Sequence, residues 1–191
     1  FKTIRNEYGK NEIDLTIITP LNLIDDRIKR TINSLDIRLL DFNLNKEELA
    51  KEYDKAHILL NPTRMDSFSL VTLESIKHGC AYIGTNLYAI PEMIENGKNG
   101  FLTSSIYSPW KDDKTFDHKK RMMMQKLSKE GYLDDKLVAF IIEKIKLLRR
   151  NKKLLKTMNS ASIIKSSTGS FSERNIFRFW ENLLGDGGND D

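Results

Sequence analysis

Three observations predict an α/β chain with a parallel sheet, helices on both of its faces and a helical C-terminal segment. Between Ile13 and Thr103 short apolar runs alternate with stretches of helical spacing, and the connections are short. That alternation favours parallel strands joined by crossover helices. Capping residues stand at the joints, with Asn45 before a helix, Gly79 after one and Pro91 at the first turn of another. Beyond Asp134 the strand signal is lost, and helical spacing continues almost to the end.

The elements follow in order. FKTIRNEYGK reads as the end of an amphipathic helix. Ile13 to Thr19 is a β-branched run stopped by Pro20, a buried strand. Ile24, Ile28, Ile32 and Leu35 recur in steps of four, four and three, one side of a helix. Ile37 to Phe42 is strand again. Asn45 caps a helix to about Ala56, with Glu47 and Glu48 in its first turn. His57 to Leu60 is a buried strand ended by Asn61-Pro62. A helix then runs from Met65 to Gly79, with Asp66 at its mouth. Ala81 to Gly84 is the next strand, PEMIEN a short helix, and Gly97 and Gly100 turn the chain into FLT.

Residues 1–103 are therefore expected to form the ligand-binding core. Residues 104–134 are polar and read as an insertion with one basic helix. Residues 135–184 are C-terminal helices completing the same domain. Asp134 or Asp135 caps the first, whose side carries Leu137, Phe140, Ile141, Ile145 and Leu148; a second covers about 152–165. Ser166 to Ser170 reads as a linker, Phe171 to Leu184 as a last helix, and 185–191 as a disordered tail.

Composition excludes several classes. The chain has 191 residues and a net charge of +4, from 31 basic and 27 acidic residues. That balance is too mild to argue for nucleic acid. The single cysteine, Cys80, cannot form an internal disulfide, so a reducing, cytoplasmic setting is the simpler expectation. No apolar run approaches the ~20 residues that span a bilayer. The first residue is Phe1, which reads as the start of a piece of something longer.

The stretch MDSFSLVTLESIKHGC, Met65 to Cys80, carries the chemistry. It places Asp66 at a helix entrance and Glu74 eight residues on. In parallel sheets ligands bind beyond the carboxyl ends of the strands, where helix N-termini also point. Unpaired N–H groups there suit phosphate, and carboxylates accept bonds from sugar hydroxyls. As a helix, the eight-residue step spans about 12 Å. The plainer reading is a capped helix with one solvated acid.

The wider run Asn61 to Thr103 resembles the nucleotide-sugar-binding segment of retaining glycosyltransferases of family 4, which have the GT-B fold. The matching residues are Asp66, Phe68, Glu74, Gly79, Thr85, Asn86, Ile90, Pro91, Glu92, Asn99 and Gly100. A lone acid-x7-acid pair carries little weight; this many matches in order is specific. The flanks are similar too, at Phe42 to Ala56 and Ser172 to Leu184, and 110–120 looks like an insertion of some members. There are departures. Asp66 stands where Glu is frequent, Ser69 where Gly is usual, and Tyr88-Ala89 where Gly-Gly is common. A Cβ at such points crowds a close backbone approach.

The resemblance implies a Rossmann-like donor-binding half whose partner, an N-terminal GT-B domain with the acceptor site, and whose own first strand precede Phe1. It implies a UDP-, GDP- or ADP-sugar as donor, with no cofactor, no metal and no covalent nucleophile. Asp66 would hold sugar hydroxyls and matter for the rate of transfer. Glu74 would hold the ribose. Ser67, Phe68, Ser69, Leu70 and Val71 would surround the diphosphate, with the amides near Leu70 and Val71 facing it. Phe42, Asn43 and Leu44 would meet the base through backbone groups. Retaining glycosidases place two carboxyls about 5 Å apart. Asp66 and Glu74, on the helix spacing, are too far apart for that; the resemblance implies front-face attack instead, and the chain alone is expected to be inactive because the acceptor half is missing. The rivals are an epimerase or phosphorylase of related fold and a non-catalytic interaction subunit.

Other features have plainer readings. Lys119-Lys120-Arg121 with Met122-Met123-Met124 is expected to be a solvated face with a Met side packed on the domain; peripheral membrane contact is its second reading. Phe177, Phe179 and Trp180 are expected in the core. Cys80 reads as a small buried residue, and His78 as a helix-end cation. His57, His78 and His118 have no His or Cys partner at metal spacing.

Overall fold

The structure, a computed structural model, describes residues 1–9, 11–106, 108–111 and 115–185. The chain divides into two compact units, Phe1–Glu52 and Tyr53–Asp191. Strands and helices alternate as the sequence predicts. The described strands, however, hydrogen-bond as two parallel sheets rather than one. Apolar periodicity marks which segments are extended but not which of them share a ladder.

The first unit holds helix α1 (Lys2–Tyr8), strand β1 (Thr16–Ile18), a 3₁₀ turn at Leu21–Leu23, helix α2 (Asp26–Ser34), strand β2 (Arg38–Leu40) and most of helix α3 (Lys46–Lys55). β1 and β2 pair in parallel, with Ile17 opposite Leu39. Both strands are shorter than the apolar runs that predict them. Their ladder is prolonged by Arg38 N donating to Leu15 O and Thr19 N to Leu40 O. The Asp25 carboxylate caps α2 by accepting the Ile28 amide at 2.7 Å. Of the predicted stripe on α2 only Ile32 is buried; Ile28 is 48% exposed. Asn45 and Glu48 form a reciprocal capping box at α3, each side chain accepting the other's amide at 2.9 Å.

The second unit is built on strands β3 (Ile58–Asn61), β4 (Ala81–Thr85) and β5 (Gly100–Thr103), parallel and in that order. Its helices are α4 (Leu70–Lys77), α5 (Ile90–Met93), α6 (His118–Lys129), α7 (Asp135–Arg150), α8 (Lys152–Thr168) and α9 (Glu173–Gly185). Every residue of β4 is buried, as a central parallel strand requires. The core joins Ile76, Tyr82, Ile90, Met93 and Ile94. Each such side chain contributes about 1.5–3 kcal/mol on burial. α8 lies against α4, α7 and β4. Polar bonds seat it there: Asn159 Nδ2 donates to His57 O at 2.8 Å, and Ser162 Oγ to Cys80 O at 2.8 Å.

Gly84 is required by close approach, because a Cβ there would stand 2.2 Å from Asn61 O on β3. Gly79, at φ 79°, ends α4 as predicted.

Four expectations are corrected. α4 begins at Leu70, so Asp66 precedes the helix and the helical 12 Å estimate for its distance to Glu74 does not apply. Ser166 to Thr168 belong to α8 rather than to a linker; Ser167 and Thr168 place their hydroxyls on the Ile163 and Ile164 carbonyls of the preceding turn, so these side chains do not draw the backbone out of the helix. Phe177, Phe179 and Trp180 are not core: they are 69%, 62% and 51% exposed. An apolar helix face shows what burial would favour, not that a neighbour is present to cover it. Of the three α6 methionines Met124 is buried, while Met122 and Met123 are exposed. The tail expected to be disordered, apart from Gly185 at the end of α9, lies outside the described residues.

Candidate functional site

The segment Asn61 to Ser69 leaves the carboxyl end of β3 and enters α4, the location that parallel sheets use for ligands. Its turn is held by one short bond: Asp66 Oδ1 accepts the Ser69 amide at 2.7 Å. Ser69 occupies the N-cap position in the left-handed region, φ 63° and ψ 64°, with no side-chain cap. A second non-glycine at positive φ in this unit is Tyr88, at 51°. Ser69 and Tyr88 are two of the places where the resembling family has glycine. The left-handed backbone there is the physical reason glycine is favoured.

Behind the turn lies a small polar cluster. Ser69 Oγ and Thr72 Oγ1 are 2.7 Å apart, and Asn61 Nδ2 donates to both, at 3.2 and 3.3 Å. Ser69 and Thr72 are buried. The cluster ties the end of β3 to the first turn of α4. Next to it Tyr82 OH donates to Asn61 O and Thr85 O, at 3.2 and 3.1 Å, and Thr85 Oγ1 donates to Thr63 O. Burial, with the Asp66 charge adding to it, pushes the Tyr82 phenol well above its ordinary pKa, so it remains a donor.

On the ligand side, the Leu70 and Val71 amides stand in the first turn of α4 with no acceptor among the described residues, as helix starts leave them. Leu70 and Val71 side chains are exposed. Ser67 is exposed, and Phe68 meets Phe171 edge to face at 5.5 Å. Glu74 lies just past the first turn, exposed, and accepts the Tyr53 hydroxyl at 3.2 Å through Oε2. The structure thus gathers Asp66, Ser67, Phe68, Ser69, Leu70, Val71 and Glu74 around one helix start in the second unit.

Phe42, Asn43 and Leu44 belong to the first unit. They follow β2, and Phe42 and Asn43 line, with Pro20, Leu21 and Asn22, a surface recess at the carboxyl ends of β1 and β2. The Asp41 carboxylate accepts the Phe42 amide at 2.8 Å and the Asn43 side-chain amide at 3.1 Å. The backbone amides of Asn43 and Leu44 have no acceptor among the described residues.

Sequence reasoning missed Tyr53, Asn61 and Thr72 as site components. Tyr53 is an aromatic among charges at the end of α3, which alone marks nothing. Asn61 and Thr72 read as a strand end and a helix interior; their hydrogen bonds exist only once β3 and α4 are side by side. Asn99, matched by resemblance, plays a structural part, accepting the Glu95 amide at 2.7 Å and donating to Met93 O. No group of three His, Cys, Asp or Glu capable of holding a metal ion occurs among the described residues. No described helix is long and apolar enough to cross a membrane.

The family model of glycosyl transferases group 1 matches residues 1–109. Among solved structures, a GtfA/B complex is similar with a TM-score of 0.69 at 19% identity, over 98% of this chain and 32% of that one. Alr3699/HepE of Anabaena, solved with UDP, is similar with a TM-score of 0.58 at 13% identity, over 93% of this chain and 42% of its own. It has also been solved with UDP-glucose. The C-terminal domain of LpcC, a glycosyl transferase group 1 family protein of Francisella tularensis, is similar with a TM-score of 0.51 at 18% identity, over 77% of this chain and 62% of that one. At these identities the likeness is one of fold, that of GT-B C-terminal domains. The chain spans less than half of the GtfA/B and HepE chains.

Proposed function

The chain belongs to the group 1 glycosyl transferases, and from that premise we propose that it binds a nucleoside-diphosphate sugar and serves retaining transfer of the sugar to an acceptor hydroxyl. The observation that carries the reading is the start of α4. Two open amides, at Leu70 and Val71, stand between the carboxylates of Asp66 and Glu74 in sequence, at the carboxyl end of a parallel strand. The amides and the helix dipole suit a diphosphate. Asp66 spends one oxygen on Ser69, which leaves Oδ2 to accept sugar hydroxyls. Glu74 spends one on Tyr53, which leaves Oε1 for the ribose.

In this reading the bond from the anomeric carbon to the phosphate oxygen breaks as the acceptor oxygen bonds the same carbon on the same face. The acceptor's proton passes to the departing phosphate oxygen. The protein positions the donor and stabilises charge on the diphosphate. No covalent nucleophile, metal or cofactor takes part, and the acceptor site belongs to a partner N-terminal domain. The proposed setting is cytoplasmic. The HepE complexes with UDP and UDP-glucose support the donor class.

Calorimetric titration with UDP, GDP and ADP tests the reading. One of them should bind, and more weakly to Asp66→Ala and Glu74→Ala. Binding of none would overturn the proposal and favour an interaction subunit.

A further inference from the structure

Resting on that assignment of Glu74 to the ribose, the geometry points to Tyr53 as the positioning residue that holds the Glu74 carboxylate in the orientation a ribose needs.

Glu74 on α4 and His78, the C-cap of that helix, are four residues apart, so their side chains lie over neighbouring turns of one face. Tyr53, in the last turn of α3, covers that face. Its ring stacks on the His78 ring, with centroids 5.6 Å apart and planes at 22°. Its hydroxyl reaches one turn further and donates to Glu74 Oε2 at 3.2 Å. The far side is also anchored. His78 Nδ1 lies 2.7 Å from Asp54 Oδ1, which ties the ring under Tyr53 back to α3. Cys80 Sγ contacts the Tyr53 and Ala56 carbonyls.

An exposed glutamate otherwise samples several rotamers, and ordering it costs entropy on ligand binding. Tyr53 removes that cost by holding one oxygen, and Oε1 then has no partner among the described residues. Burial first, then the Glu74 charge, raises the Tyr53 phenol well above its ordinary pKa, so it donates throughout the working range. Tyr53 need not touch the nucleotide; it acts through Glu74.

The test is a pair of titrations on the full chain, with UDP, GDP or ADP, whichever the wild type binds, and its 2′,3′-dideoxy analogue. Tyr53→Phe should weaken the ribonucleotide by about five- to tenfold, the cost of ordering the freed Glu74 side chain on binding. It should change the dideoxy analogue by under about twofold, since no ribose hydroxyl then uses Glu74. In a Glu74→Ala background Tyr53→Phe should cost nothing further. A Tyr53→Phe loss equal for both nucleotides, or undiminished without Glu74, would show a merely structural tie and overturn this inference alone. A wild type that binds no nucleotide overturns the donor assignment beneath it.

Discussion

Asp66 accepts the amide of Ser69 at 2.7 Å, and Ser69 is thereby held in a left-handed conformation that a serine adopts at a cost. The bond makes Asp66 part of the architecture of the helix start as well as a ligand candidate. One carboxylate oxygen shapes the turn; the other is open. A substitution here therefore separates two roles only if binding and stability are both measured.

Asp66→Ala should remove a hydrogen bond to a charged acceptor, about 1.5–3 kcal/mol of stability. Under the proposed function, in a chain that includes the partner N-terminal domain, it should also slow transfer by about tenfold or more, ~1.4 kcal/mol of barrier. Denaturant titration and initial rates check the two effects separately. Unchanged transfer in a folded variant would reduce Asp66 to a turn residue.

Ser69 separates backbone strain from side-chain bonding. Ser69→Ala keeps the left-handed backbone and loses the bonds to Asn61 and Thr72. Ser69→Gly loses the same bonds but relieves the strain, ~1 kcal/mol. Glycine should therefore be the more stable of the two variants by that margin in chemical denaturation. The reverse order would show that the left-handed conformation carries no such strain, because the lost bonds are the same in both variants.

Gly84→Ala should destabilise the second unit by about 2–3 kcal/mol, because the added Cβ meets a neighbouring strand's carbonyl as well as the buried Tyr82 hydroxyl. The clash is with Asn61 O, so β3 must shift and carry the polar cluster with it. Thermal unfolding and nucleotide affinity should fall together.

Cys80 predicts an alkaline weakness. Burial, with a smaller contribution from Asp54, pushes its thiol up to about 11. Between the ordinary cysteine value and pH 11 the unfolded chain loses this proton while the folded chain keeps it. The unfolded state then binds fewer protons, so stability falls as pH rises through that window, by roughly 2 kcal/mol for this group. Cys80→Ala should flatten that part of the stability–pH curve, as read by denaturant midpoints from pH 8 to 11. An identical slope in both proteins would exclude the thiol as its source.

The outer face of α9 should tolerate polar substitution. Phe177→Ser and Trp180→Ser should change the chain's stability by under about 1 kcal/mol, since both side chains are exposed. A loss of about 3 kcal/mol, typical of core aromatics, would mean that the face is covered in solution.

Local chemistry was legible in the residues alone. Asn45, Asp134, Gly79 and Pro91 mark their helix ends because a cap or a fixed φ acts within one turn of chain. The apolar runs marked β1 to β4, and the ordered match from Asp66 to Gly100 marked the segment that resembles a nucleotide-sugar-binding one. What needed the fold was every relation between elements. The true start of α4 depends on a bond that bends the chain back at Ser69, and no propensity reports it. The Asn61–Ser69–Thr72 cluster and the Tyr53–Glu74 pair join residues 8 to 21 positions apart, brought together by packing. The exposure of Phe177, Phe179 and Trp180 was decided the same way, since burial is a property of neighbours and a helical stripe records only one side of that contact.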